Sequence, residues 1–166
     1  LKGQLREEAD VFLAGVVIGS GCHVCELEVD PDTGQIKIIE WTAVDDVGRA
    51  INPMTLEGQT HGGVMQGVGQ ALMESCAYDD DTGQMVAASL MDYAMPRAED
   101  SPAFRTKLLE VPSPSNPLGV KPGSEGGTAV AVAAVSNAIF DALGDYNVKT
   151  IDLPVTSERI WKAING

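Results

Sequence analysis

The chain has 166 residues, of which 44% are hydrophobic and 21% are charged, so it is long enough for one domain with a packed core. Its net charge of −13 disfavours nucleic acid and anionic membrane surfaces as partners, because both are themselves negatively charged. Three cysteines do not make a secreted disulfide framework, and the longest apolar run, residues 11–19, is too short to span a membrane, so we predict a cytoplasmic protein without a membrane span.

Residues 1–20 are predicted to be an atypical leader or linker, and residues 21–166 a single globular unit. The first segment is weakly patterned and runs into Gly-Ser-Gly at residues 19–21, which is typical of a loop. The chain begins with Leu1 rather than Met, which suggests that it is trimmed or is a piece of a longer protein.

A β-hairpin is predicted at the start of the globular unit. Residues His23–Val29 alternate roughly with period two, Asp30–Gly34 has the composition of a tight turn, and Gln35–Trp41 is rich in isoleucine. This order of patterns indicates two antiparallel strands that are joined by a short turn.

Residues Met54–Cys76 are predicted to form a glycine-rich helix. Asn52-Pro53, just before it, interrupts the preceding secondary structure. Each glycine inside a helix costs about 1 kcal/mol relative to alanine, so the run needs a physical reason. Another helix or a bulky ligand lying very close to the backbone would supply one, and the sequence leaves both open. The glycines concerned are Gly58, Gly62, Gly63, Gly67 and Gly69.

A second hairpin is predicted further along, where Tyr78–Gly83 forms a turn and Met85–Ala88 a short strand. The three aspartates of this turn are consecutive, whereas a calcium loop needs alternating ligands and a distal glutamate, so we interpret the segment as a turn. A strand over Phe104–Val111 follows, and then a stiff extended connector over Pro112–Pro117.

Two helices are predicted in the last part of the chain. Thr128–Leu143 is rich in alanine and valine and is expected to be a buried helix, preceded by a loop over Gly119–Gly127. A last helix is predicted over Glu158–Ile164, with Thr156 or Ser157 as its cap. The fold class is therefore α+β, with β-hairpins and short strands packed with a glycine-rich helix, a buried helix and a C-terminal helix.

Glu125 is the candidate catalytic residue. It lies just before the predicted buried helix, where free backbone N–H groups and the positive end of the helix dipole favour anions. Gly123, Gly126 and Gly127 beside it would let the backbone approach a ligand closely. The residues alone leave open the alternative of a helix-capping or first-turn carboxylate, which needs no ligand.

The cysteines and histidines do not suggest a metal site. Cys22 and Cys25 are three residues apart in a predicted strand, so they would face opposite sides and are interpreted as structural thiols. His23 and His61 lie far apart in the sequence, which disfavours a histidine-based site. His61 neighbours the glycine run and is a candidate to face a ligand.

Five segments stand in a characteristic order along the chain: GCHVCELEVDPDTGQIKI, AVDDVGRAINPMTLEGQTHGGVMQGVGQAL, MDYAMPRAED, PSPSNPLGVKPGSEGGT and LPVTSERIWKAI. Over residues 21–165 they resemble the C-terminal part of the molybdopterin-binding large subunit of the xanthine dehydrogenase, aldehyde oxidase and carbon monoxide dehydrogenase family, the molybdenum hydroxylases. The carbon monoxide dehydrogenase-like branch is the most similar.

The resemblance implies a molybdopterin-type molybdenum cofactor, with the cytosine dinucleotide form as one option. In the family, a loop of the form G-x-K-x-x-G-E holds a glutamate beside the molybdenum as catalytic base, and Glu125 occupies that position here, with Gly119 and Lys121 matching. Gln66-Gly67 corresponds to the Gln-Gly pair that hydrogen-bonds the pterin. The metal is held through the pterin, so no protein side chain is expected as its ligand.

The same resemblance implies that Gly62 and Gly63 line the approach to the cofactor and that Lys121 contributes to its binding. Gln59 and His61 share the glycine-rich segment, but the family pattern assigns them no definite role.

Two residues of the Glu125 loop depart from the family pattern. Pro122 and Ser124 stand where the family usually has glycine. Because proline fixes φ and removes a donor N–H, this loop can hold a different shape from that of its relatives.

The function that the resemblance implies is oxidative hydroxylation of a small substrate, such as an aldehyde, an N-heterocycle, a purine or carbon monoxide, by an oxidoreductase of which this chain is one module. The expected partners are the rest of the molybdenum subunit and subunits that carry iron–sulfur clusters and FAD. The chain alone is expected to be inactive and to self-associate through uncovered apolar surface. The alternative is a non-catalytic assembly or structural domain of a molybdoenzyme complex.

Overall fold

The computed structural model describes residues 8–10 and 15–166 of the chain. Within these residues, the chain forms one three-stranded sheet and three α-helices, which is the predicted α+β class. In chain order the elements are β1 (Ser20–Val29), β2 (Ile36–Asp46), α1 (Pro53–Leu72), β3 (Ala103–Leu109), α2 (Gly126–Ala142) and α3 (Ser157–Asn165). The predicted leader falls largely on residues that lie outside this description.

The first hairpin is confirmed, and it is longer than predicted. Strands β1 and β2 pair in antiparallel fashion, and their turn is closed by a hydrogen bond from Asp30 N–H to the Gln35 carbonyl oxygen (2.9 Å). Gly34 adopts φ of +71°, which only glycine accepts without strain. Strand β2 continues past the predicted end at Trp41, so Asp45 and Asp46 end the second strand.

The strand predicted over Phe104–Val111 is confirmed as β3, with ends at Ala103 and Leu109. It pairs with β2 in parallel, and the sheet order is β1-β2-β3. The parallel pairing requires a crossover between β2 and β3, and α1 lies on that crossover. Strand β3 therefore ends at Leu109 beside Asp46, the last residue of β2, at the same edge of the sheet.

The second predicted hairpin forms its turn but not its strand. Asp79 N–H donates to the Gln84 carbonyl oxygen (2.9 Å), and Gly83 adopts φ of +70°. Tyr78 and Met85 then make a single isolated bridge, so the strand predicted over Met85–Ala88 is wrong. The strand would have had no neighbour to extend the ladder, and an isolated two-stranded hairpin is marginal in water.

The prediction of a stiff extended connector over Pro112–Pro117 is also wrong, because this segment turns back on itself. Gly119 N–H donates to the Asn116 carbonyl oxygen (3.1 Å), and Ser113 N–H donates to the Gly119 carbonyl oxygen (3.0 Å). The Asn116 amide completes the turn, since it donates to the Val120 carbonyl oxygen and accepts from the Val120 N–H. Local side-chain bonding of this kind outweighs the stiffness of the prolines.

Helix α1 ends at Leu72, earlier than the predicted Cys76, and it begins after Asn52, whose side chain accepts a capping hydrogen bond from Thr55 N–H (3.1 Å). Helix α2 begins at Gly126, two residues before its predicted start. Helix α3 is capped by Thr156, as predicted.

The core lies where α1 and α2 meet each other and the sheet. The side chain of Trp41 on β2 is fully buried there, together with Val64 and Val68 of α1 and the i, i+4 stripe of α2. Helix α2 is therefore buried along this stripe, in agreement with the predicted buried helix, while its other residues are partly or fully exposed. The stripe consists of Gly127, Ala131, Val135 and Ile139.

The glycines of α1 fall into two groups, those packed against α2 and those on an open side of the helix. A Cβ placed on Gly63 would lie 2.9 Å from the Thr128 backbone nitrogen, and one on Gly67 would overlap with the Ala131 side chain. These two glycines therefore allow α1 and α2 to approach closely, which is the packing interpretation of the glycine run. A Cβ on Gly62 would meet nothing within 4 Å, so its side of the helix is open.

Among the described residues, no helix is both long enough and apolar enough to cross a membrane.

Candidate functional site

Glu125 is the N-cap residue of α2, but its side chain forms no capping hydrogen bond. Its backbone carbonyl oxygen accepts the first helical bond, from Ala129 N–H (3.0 Å). The carboxylate itself is exposed, and within the described residues it has neither a hydrogen bond nor an ion pair. The Glu125 side chain therefore does not cap the helix, and in the described part of the chain its carboxylate has no bonded partner.

Glu125 lines a cleft of about 340 Å³ at the N-terminal end of α2. The start of β1 and the end of β2, with Asp45 and Asp46, also line this cleft. The lining includes Gly19, Gly21, Asp45, Pro122, Glu125 and Gly126. The cleft is thus built from three separate stretches of sequence.

The Gln66 segment and the Glu125 segment are brought together by Thr128. Its hydroxyl lies 3.2 Å from Gln66 Oε1 and donates to the Gly63 carbonyl oxygen at 3.1 Å. Thr128 is in the first turn of α2, three residues after Glu125. The first turn of α2, which follows Glu125, therefore contacts α1 at Gly63 and Gln66, although Gln66 does not line the cleft.

The predicted cofactor-lining glycines do not all present the same surface. Gly63 and Gly67 face α2 and are buried, whereas Gly62 and Gln66 are on the exposed side of α1. Contact of this backbone with a cofactor stays a prediction for all of them. Within the described residues, the open direction from Gly62 leaves the helix backbone accessible.

Lys121 forms an ion pair with another residue of the same chain, Asp46. Its Nζ lies 2.5 Å from Asp46 Oδ2, and Asp46 Oδ1 also accepts hydrogen bonds from the backbone N–H groups of Gly48 and Val111. The Lys121 ammonium and the Gly48 N–H hold the pKa of the Asp46 carboxyl below its ordinary value. The predicted role of Lys121 in cofactor binding is not tested by this geometry and stays a prediction.

A pH dependence of stability follows from this pair. Because the folded-state pKa of Asp46 is lowered, its stabilising contribution is complete above the unfolded value of about 3.9 and is lost as the pH falls through the folded value. We expect the urea midpoint to fall less between pH 6 and pH 3 in Asp46→Asn than in the parent chain. An exposed carboxylate, changed in Asp80→Asn, is the matched control; an unchanged pH slope in Asp46→Asn would contradict the assignment.

The sequence did not reveal a buried network of hydrogen-bonded side chains that reaches the cleft at Asp45. The His23 side chain is only 1% exposed; its Nδ1 accepts from Trp41 Nε1–H (3.1 Å), and its Nε2 lies 3.0 Å from Asp45 Oδ1. Since Trp41 can only donate, His23 Nδ1 is unprotonated and Nε2 carries the hydrogen given to Asp45. Thr60 Oγ1 donates to the other Asp45 oxygen (3.4 Å). The sequence signal was the alternation of β1, which puts His23 on its inward face.

His61, the other histidine, stacks on Phe104 with ring centroids 4.1 Å apart and an interplanar angle of 20°. Its Nε2 is 4.0 Å from Glu57 and is shielded from solvent without a hydrogen-bond partner in the described chain. The ring thus faces β3, and ligand binding by His61 gains no support from these contacts. Gln59 is exposed on α1.

The two cysteines of β1 lie in different environments, as the strand geometry predicts. Cys22 is exposed, whereas Cys25 is half-buried against the core. In the described part of the chain, no group of three or more histidine, cysteine, aspartate or glutamate side chains is arranged to hold a metal ion.

Burial raises the pKa of the Cys25 thiol to about 11, so its reactive thiolate is scarce at neutral pH. We expect iodoacetamide at pH 8 to modify Cys22 faster than Cys25 in the folded protein, and at similar rates after unfolding. Peptide-resolved mass spectrometry measures both rates in one sample. Equal rates in the folded protein would show that Cys25 is not shielded.

Comparison with known proteins places this chain in a family. The sequence matches the molybdopterin cofactor-binding domain family over residues 6–102. It is 39% identical over 150 residues to the nicotine 6-hydroxylase large subunit of Paenarthrobacter nicotinovorans, covering 90% of this chain. It is 35% identical over 144 residues to the carbon monoxide dehydrogenase large chain of Hydrogenophaga pseudoflava, covering 87% of this chain. The crystal structure of quinoline 2-oxidoreductase from Pseudomonas putida 86 matches 88% of the chain with a TM-score of 0.84 and 42% identity.

The chain belongs to the molybdopterin cofactor-binding domain family. It corresponds to a portion of the molybdopterin-binding subunit of the molybdenum hydroxylases, which confirms the predicted resemblance. It spans only 18% of the length of each of the three relatives named above. The family match supports a molybdenum cofactor, without distinguishing the form of its pterin.

Proposed function

We propose that this chain is the module of a molybdenum hydroxylase that supplies the catalytic base, Glu125, and one wall of the molybdopterin site. The whole enzyme would hydroxylate a small substrate oxidatively, within the range of aldehydes, N-heterocycles, purines and carbon monoxide. The observation that carries the proposal is the Glu125 carboxylate, which makes no capping bond and lines a cleft at the start of α2, the helix whose first turn contacts Gln66 through Thr128.

The residues fit a molybdopterin cofactor. Gln66 presents an amide on the exposed face of α1, and a Cβ on Gly62 would meet nothing within 4 Å, so a flat ligand could approach the backbone there. The first N–H groups of α2 lie next to this face and favour anionic groups such as phosphate. Gln66 and Gly62 would hold the cofactor, with Gly63 and Gly67 supporting them from the buried side of α1.

The cofactor, when bound, supplies the redox chemistry and accepts the electrons taken from the substrate. Glu125 supplies acid–base chemistry: both of its carboxylate oxygens are free to accept a proton at the mouth of the cleft. The glycines on either side of it leave room for a reacting group close to the backbone. This division assigns proton transfer to the protein and electron transfer to the cofactor.

The proposed partners are the remainder of the molybdenum subunit and subunits that carry iron–sulfur clusters and FAD. The chain leaves large apolar side chains uncovered: Leu90 is 81% exposed and Met91 is 92% exposed. Such side chains are normally covered in a folded assembly, so we propose that the remaining polypeptide packs on this segment. Without it, the isolated chain would self-associate.

Retention of the cofactor tests the assignment of Gln66. We expect Gln66→Ala in the complete enzyme to lower the molybdenum content of the purified protein several-fold, because removal of one polar anchor typically costs about 1–3 kcal/mol. Gln84→Ala, in the exposed second turn, is the control and should keep its full metal content. Elemental analysis of both variants gives the result; full molybdenum content in Gln66→Ala would remove this residue from the site.

A further inference from the structure

The loop that carries Glu125 is attached at its start to the end of β2. Lys121 Nζ is paired with Asp46, and Lys121 N–H donates to the Val47 carbonyl oxygen (2.9 Å). Asp46 is itself fixed, since its Oδ1 accepts two backbone hydrogen bonds from neighbouring turns. The first residues of the loop therefore have little freedom to shift relative to the sheet.

The end of the same loop is packed against the preceding residue of β2, Asp45. A Cβ placed on Gly126 would lie 3.6 Å from Asp45 Oδ1, and one on Gly21 would overlap with that oxygen. The Asp45 side chain therefore lies close to both β1 and the first turn of α2. A carboxylate near a helix N-terminus interacts favourably with the positive end of the helix dipole.

Asp45 is oriented from three elements at once. His23 on β1, itself held by Trp41 on β2, donates to Asp45 Oδ1, and Thr60 on α1 donates to Asp45 Oδ2. These bonds point the carboxylate at the cleft side of the sheet. Since successive residues of a strand point to opposite faces, Asp45 reaches the helix while its neighbour Asp46 reaches the loop.

We infer that Asp45 and Asp46 are positioning residues for Glu125. Asp46 holds the start of the loop through Lys121, and Asp45 lies close to its end at Gly126, so together they limit how far the Glu125 carboxylate between them can shift. The inference rests on the proposed role of Glu125 as base. A displacement of about 1 Å in a reacting group can lower a rate on the order of 10²-fold, so such a clamp has a measurable effect.

The test uses the complete enzyme, with Asp45→Asn and Asp46→Asn each made alone and in a Glu125→Gln background. Alone, each is expected to lower kcat about 10- to 100-fold while KM changes less. Molybdenum content should stay near that of the parent enzyme, whereas Asp46→Asn should lower the unfolding temperature because it removes the ion pair with Lys121. In the Glu125→Gln background, neither should lower kcat further, because a residue that acts through Glu125 has nothing left to position. Asp80→Asn, in the exposed second turn, is the control and should leave kcat unchanged.

An equal fall of kcat in both backgrounds would overturn the inference, because it would show a general structural effect, as would a loss that follows molybdenum content. Parent-like kcat in both aspartate variants, beside an inactive Glu125→Gln, would overturn the inference and leave the proposed function intact. A fully active Glu125→Gln would remove the base assignment and the clamp with it. If an aspartate variant does not assemble, Lys121→Gln breaks the Asp46 end alone and is read by the same criteria.

Discussion

Replacement of Glu125 by glutamine in the complete enzyme is expected to lower turnover by about 10²- to 10⁴-fold while the cofactor remains bound. Glutamine has nearly the same shape and can occupy the same cleft, but its amide cannot take up a proton at catalytic pH. Because the Glu125 side chain makes no capping bond, the substitution removes no hydrogen bond of the folded chain. The measurement is kcat per bound molybdenum in the purified variant.

The control for this experiment is a second glutamate outside the cleft. Glu26 is exposed on β1, so Glu26→Gln makes the same chemical change away from the proposed site and should leave turnover unchanged. Near-normal turnover by Glu125→Gln would end the assignment of the catalytic base. It would also favour the alternative that the chain is a non-catalytic assembly domain of a molybdoenzyme complex.

The contact between α1 and α2 should be very sensitive to the size of residue 67. A Cβ on Gly67 would overlap with the Ala131 side chain, so Gly67→Ala must push the helices apart. We expect a loss of local stability of about 1–3 kcal/mol, which is typical of overpacking in a close-packed core. Amide hydrogen exchange of α1 and α2 in the complete subunit measures the loss where it occurs.

Gly58→Ala is the matched control, since it makes the same change on the same helix outside the proposed cofactor site. A Cβ at this position meets nothing, so the gain in helix propensity, up to about 1 kcal/mol, should appear without a clash. The two alanine variants are therefore expected to change hydrogen exchange in opposite directions. Protection of α1 that is equal in both would contradict the close approach of the helices at Gly67.

The local elements of the fold could largely be predicted from the sequence. The turn at Asp30–Gly34, the cap at Thr156 and the helix over the glycine run depend on residues that are neighbours in the chain. Two predictions failed for different reasons. Within the described residues, no distant strand extends the ladder beyond Met85, whereas the proline-rich connector folds back through a local bond between the Asn116 side chain and Val120.

The candidate site divides in the same way. Glu125 and Gln66 were predicted as site residues because the order of motifs resembles a known family, and only the family is confirmed by comparison. His23 and Asp45 were missed because their meaning depends on contacts across the sheet and to α1, which no local pattern records. The glycine run could not be resolved into packing and open positions until the second helix was in place.

The sequence by itself determined the α+β class, the acidic surface, the order of the motifs and the place of Glu125 before a helix. These depend on composition and on interactions within a few residues of each other. Only the tertiary structure decided that Lys121 pairs with Asp46, that Asp45 is held by His23, and that the Gln66 segment meets the Glu125 segment. The reason is physical: burial and hydrogen bonding between distant segments are set by the packing of whole elements, and a single sequence carries no direct record of that packing.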